Sequence, residues 1–167
     1  MNFIEKIDPA GTKIVQKYIA EKAVVMSELE AKANFVEQVY LLSAYHCAQK
    51  LADGGNKVYI LYWNVKPLIE NLGSGTIDVL AAFLGNREAS KYGNVLNQDI
   101  AAPLQNLFRK FVHGEELKLF NNELKGINAI DWKEFPNALI VSEKKFSCEK
   151  IVDRLTEVKG LRELFTK

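Results

Sequence analysis

From Thr12 to Asp53 neither proline nor glycine interrupts the chain, and Val15, Ile19, Met26, Leu29, Ala33, Val36, Tyr40, Ala44, Cys47 and Leu51 recur at separations built from threes and fours. That period draws one apolar stripe along a helical surface, broken only at Lys22. Asp8-Pro9 supplies a start, because Asp accepts from orphan amides and proline at the first helical position loses nothing by lacking one. Ser27 followed by Glu30 has the form of a capping box that would split the stretch. The stripe nevertheless runs through in phase, so the pattern predicts one long or kinked helix over residues 9–52, ended by Gly54-Gly55. Leu29, Val36, Tyr40 and Cys47 share one face of it, which is expected to point into the core.

The next apolar run, residues 57–63, is rich in β-branched and aromatic side chains and reads as a strand. Val58, Leu61, Val65, Ile69 and Leu72 also fit a helical stripe, which would make the chain all-α. Gly73-Ser74-Gly75 forms a turn, Thr76 caps a short helix over 77–84, and the polar stretch from Gly85 to Asn94 reads as a loop or one exposed helical turn pair. Asn94 to His113 is helical, showing Leu96, Ile100, Leu104, Leu107, Phe108, Phe111 and Val112 on one side, with Pro103 kinking it or starting its main part and Gly114 ending it. Glu115 to Lys125 predicts a further short helix, and Asp131 and Glu134 cap a turn closed by Pro136. Residues 138–142 read as a strand, and Ser147 caps a last helix carrying Ile151, Val152, Leu155 and Val158 inward. The expected fold is mainly α: a single-domain bundle of five to seven helices over residues 1–167, with residues 57–63 and 138–142 pairing as a small two-stranded sheet.

Composition narrows the function classes more than it selects among them. The chain has 167 residues, 48% of them hydrophobic, with 22 Lys plus Arg against 21 Asp plus Glu. A chain of this length buries enough surface for one sizeable core. The near-zero net charge of +1 supplies no basic excess of the kind that tracks phosphates. Cys47 and Cys148 match neither a secreted disulfide framework nor a zinc spacing, so a reducing, cytoplasmic setting is expected. The first residues lack the apolar core of a signal peptide, and the longest apolar run, Val58 to Trp63, is far short of the ~20 residues of a membrane span.

Chemistry-bearing patterns each meet a simpler explanation. His46, Cys47, His113 and Cys148 are too few and too scattered to hold zinc, and neighbours on a helix point about 100° apart, so no metal and no cofactor is expected. Cys47 on the stripe reads as a buried thiol. Arg109 and His113 lie four apart on one helical face, an arrangement that invites a nuclease reading. Cations in the last turn before Gly114 are already explained by the helix C-terminus. Gly73-Ser74-Gly75-Thr76 lacks the lysine of a phosphate-binding loop, and Ser147 with Lys150 is covered by capping. Arg109-Lys110-Phe111 and Lys144-Lys145-Phe146 interleave basic and aromatic residues as single-strand binders do, but both phenylalanines read as core.

Six Tyr, nine Phe and two Trp exceed what a plain bundle needs. Tyr45, Tyr59, Tyr62, Tyr92 and Trp132 do not all fit one inward stripe, which marks them as candidate interface residues. With no catalytic motif, the leading expectation is a non-catalytic cytoplasmic protein-protein interaction or assembly subunit that takes a protein partner or associates with itself. The alternative is a nucleic-acid-associated accessory protein using Arg109, Lys110, His113, Lys144 and Lys145. An enzyme with a site dispersed in sequence ranks third.

Overall fold

Ser27 and Glu30 decide where the first helix stops. The Glu30 amide donates to Ser27 Oγ at 3.2 Å, while the Glu30 carboxylate accepts from the Ser27 amide at 2.8 Å and from the Ser27 hydroxyl at 2.7 Å. This capping box satisfies orphan amides at a helix start, and local capping overrides the continuity of the stripe. The computed structural model describes residues 9–65, 79, 82–84, 98–119, 129–142 and 145–155. Within them the single helix expected over 9–52 is two, α1 (Pro9–Lys22) and α2 (Glu28–Asp53). In the turn between them the Val25 and Met26 amides return to the Lys22 carbonyl.

Ser27→Ala is expected to cost about 1 kcal/mol in thermal or denaturant unfolding. The hydrogen bonds from Ser27 hold the Glu30 carboxyl below its ordinary range. A lowered folded-state value means that Glu30 contributes stability above the ordinary carboxylate value and loses it as pH falls through the lower one. Below about pH 4 the effect of Ser27→Ala should therefore shrink, which a pH series of melts will read.

The chain forms two units, one from the segment up to Lys50 together with that from Ile151 onward, the other from Leu51 to Lys150. In the first, α1 and α2 make a helical hairpin. The Tyr18 ring meets Phe35 edge-on with centroids 5.6 Å apart, and its hydroxyl pairs with Asn34 Oδ1. The buried residues of α2 are Ala31, Gln38, Leu41, Leu42 and Ala48. The stripe expected to face inward does the opposite: Leu29, Ala33, Val36, Tyr40, Ala44, Cys47 and Leu51 are all exposed. Both sets recur at helical spacing on nearly opposite faces, so periodicity alone names two candidate inner faces and the longer one is the outer.

In the second unit, β1 (Ile60–Asn64) runs parallel to β4 (Asn137–Ser142), with Ile60 beside Ala138 and Trp63 beside Val141. Parallel neighbours require a long crossover. The described parts of that crossover include α3 (Gln98–Val112) and a two-stranded antiparallel sheet of β2 (Lys118–Leu119) and β3 (Ile130–Asp131). β5 (Phe146–Lys150) then returns antiparallel to β4, giving the order β1-β4-β5. Leu139, Val141 and Phe146 bury one face of this sheet against Ile100, Leu104 and Leu107 of α3, together with Leu117, Leu119, Ile130 and Trp132. Leu61 and Trp63 of β1 pack on the same cluster.

Several expectations are corrected by these pairings. Among the described residues there are three α-helices, further helical residues at 79 and 82–84, a 3-10 turn (Ile151–Arg154) and five strands in two small sheets, so the five-to-seven-helix bundle is not the fold. Residues 57–63 and 138–142 do supply paired strands, but the sheet has three. Ser147 does not cap a helix: Phe146 and Cys148 alternate with Ser147 and Glu149 along β5, and the Ser147 hydroxyl donates to Glu149 at 2.7 Å. Residues 115–119 of the expected helix over 115–125 are loop and strand, and 120–125 lie outside the described residues. Asp131 lies in β3 instead of capping a turn. Both expected glycine stops are present. Gly55 and Gly114 have φ of 81° and 68°, and the following amides of Asn56 and Glu115 reach back to Leu51 and Lys110.

Candidate functional site

The outward face of α2 carries a row of exposed apolar side chains. Tyr40 is 74% exposed, Leu29 65%, Val36 51% and Leu51 48%, with Ala33, Ala44 and Cys47 also exposed between them. At 1.5 Å per residue the stripe from Leu29 to Leu51 runs about 33 Å. Single exposed apolar residues are ordinary, but a continuous row on one side of a helix marks an interaction surface. A helix apolar on both faces is usually covered on both. The flanks carry opposite charge: Glu30 and Glu37 border the row on one side, Lys32 and Lys50 on the other. Lys32 also pairs with Glu28 at 2.5 Å, and that hydrogen bond and charge hold the Glu28 carboxyl below its usual range.

Residues singled out from the sequence occupy other places. Arg109, Lys110 and His113 gather where α3 ends. The Arg109 guanidinium is engaged by Glu115, at 3.1 Å and 3.5 Å to its two carboxylate oxygens, and by Asn106 at 3.4 Å. Lys110 Nζ donates to the Lys118 carbonyl, which ties α3 to β2. His113 and Lys145 are exposed, and the Lys145 carbonyl accepts from the Ser142 amide and hydroxyl across the β4–β5 turn. Lys144 lies outside the described residues. Because the Arg109–Glu115 pair is solvent-exposed, Glu115→Gln should change stability by no more than about 1 kcal/mol in a denaturant melt.

The aromatic candidates are mostly structural. Trp132 is buried in the sheet core, where its Nε1 donates to the Ile60 carbonyl at 3.0 Å. Tyr59 packs edge-on against Trp132 and Phe111, and its hydroxyl donates to Glu134 at 3.3 Å. Burial first, and the Glu134 charge second, push that phenol above its ordinary range. Tyr45 is half-buried on α2 beside Gln49 and His46, and Tyr62 is half-buried in β1. Tyr92 lies outside the described residues. Tyr40, on the stripe expected to face inward, is exposed.

Two further corrections concern α2 and α3. Cys47 is an exposed thiol, not a buried one, because the stripe it belongs to faces outward. Phe108, Phe111 and Val112, expected inward with Leu104 and Leu107, are 41%, 48% and 65% exposed, with the Phe108 ring edge-on to Phe83 at 5.3 Å. Among the described residues no three His, Cys, Asp or Glu side chains converge on a point, and no helix is long and apolar enough to cross a membrane. The chain matches no protein-family model, no curated protein and no solved structure in comparisons with each.

Proposed function

We propose that the protein is a non-catalytic interaction or assembly subunit of the cytoplasm, and that it docks a protein partner on the outward face of α2. The carrying observation is that face: a seven-residue apolar row on a helix whose opposite side carries its buried residues. Covering it removes apolar surface from water, the main driving force of protein association. The free thiols of Cys47 and Cys148 suit a reducing compartment. The nucleic-acid alternative draws less support, since Arg109 and Lys110 already serve contacts within their own unit.

The test compares the full chain with Val36→Asp for native mass and for retrieval of a defined binding partner. Loss of association with an unchanged circular dichroism spectrum is the expected result. A strictly monomeric protein whose binding is indifferent to Val36→Asp would contradict the proposal, as would a gel shift on single-stranded nucleic acid that weakens with salt and survives that substitution.

A further inference from the structure

We infer that the occupant of the α2 face is a second copy of this chain, its α2 lying parallel and in register with the first; this rests on the docking role proposed above. The row fits heptad geometry from Leu29 to Cys47, with Ala33, Tyr40 and Cys47 at one seam position and Leu29, Val36 and Ser43 at the other; Lys50, next in the second series, ends the seam. Leu51 stays on the same side because a straight helix drifts against a seven-residue repeat. Ser43 does not bring an unsatisfied hydroxyl to the seam, since its Oγ donates to the Val39 carbonyl at 2.9 Å.

Charge selects both the partner and the direction. Glu30 and Glu37 occupy the flank following the seam, Lys32 the flank preceding it. Two parallel copies in register set Lys32 of each against Glu37 of the other, five residues further on, giving two opposite-charge pairs related by the two-fold axis. An antiparallel pair sets each flank against itself, so that Glu37 meets Glu37, a like-charge juxtaposition that disfavours that arrangement. The face is thus complementary to its own copy in one orientation.

Cys47 reports that orientation, because in a parallel, in-register pair the two Cys47 side chains meet across the seam, within reach of a disulfide. The experiment uses the full chain carrying Cys148→Ser. An added diazenedicarboxamide, reduced to its hydrazine as it takes two electrons and two protons from the paired thiols, should give a covalent dimer through Cys47, and Val36→Asp should weaken dimerisation by about 100-fold or more by setting two carboxylates against each other. Lys32→Glu and Glu37→Lys should each weaken it, and the double exchange should restore it. Dimers that neither link through Cys47 nor recover in the double exchange would overturn the parallel register. A monomer whose Cys47 is alkylated by iodoacetamide as fast as in unfolded protein would overturn the second copy and leave the docking role standing. A monomer whose Cys47 resists alkylation would overturn both, because the chain itself would then cover the face.

Discussion

Leu42→Asp is expected to abolish the cooperative unfolding of the helical hairpin, while Val36→Asp on the same helix should leave it folded. Leu42 is 1% exposed and among the largest fully buried side chains, so an aspartate there buries an unpaired carboxylate. Even Leu42→Ala should cost about 2–5 kcal/mol through lost transfer energy and a cavity. Val36 lies about 120° around the helix and half in water, where a carboxylate keeps its hydration. Far-ultraviolet circular dichroism during urea titration separates the two. Equal destabilisation by both substitutions would show that the α2 stripe is covered within the chain.

Trp132→Ala should be the most damaging truncation in the sheet unit, lowering stability by about 3–5 kcal/mol. The indole fills the cluster with Leu117, Leu119 and Leu139, holds the Ile60 carbonyl of β1, and stacks edge-on with Tyr59 at 5.8 Å. Trp132→Phe keeps most of the apolar volume and gives up the hydrogen bond, so it should cost clearly less. The chain has two tryptophans, and both lie in this unit, so emission from Trp63 follows its unfolding in either variant. A melt of Trp132→Ala indistinguishable from wild type would mean that the β1–β4 pairing does not depend on that anchor.

What the sequence made legible follows the range of the interaction involved. The helix stops at Gly55 and Gly114 were readable because one residue with positive φ suffices, and the capping box was visible in Ser27 and Glu30 because its partners are three residues apart. The strands at residues 57–63 and 138–142 were readable from β-branched and aromatic density. β5 was not, because Ser147 resembles a helix cap until β4 lies beside it, and that pairing depends on a turn and not on local propensity. The inner face of α2 was misassigned for a different reason. Ala31, Gln38, Leu42 and Ala48 form a shorter and less apolar row than Leu29, Val36, Tyr40 and Leu51, yet α1 packs beside Asn34 and Phe35, close to the first row. Hydrophobicity ranks faces by their need for cover, and a face can obtain that cover from another chain.

The outward face of α2 is therefore the centre of the account, and its most direct test is the mass of the full chain in solution as a function of concentration, by sedimentation beside Val36→Asp. The wild type is expected to rise from 18.9 kDa toward twice that value with concentration, while Val36→Asp remains at 18.9 kDa with an unchanged circular dichroism spectrum. A wild type that stays at 18.9 kDa throughout, or a Val36→Asp variant that associates as the wild type does, would contradict self-association through that face.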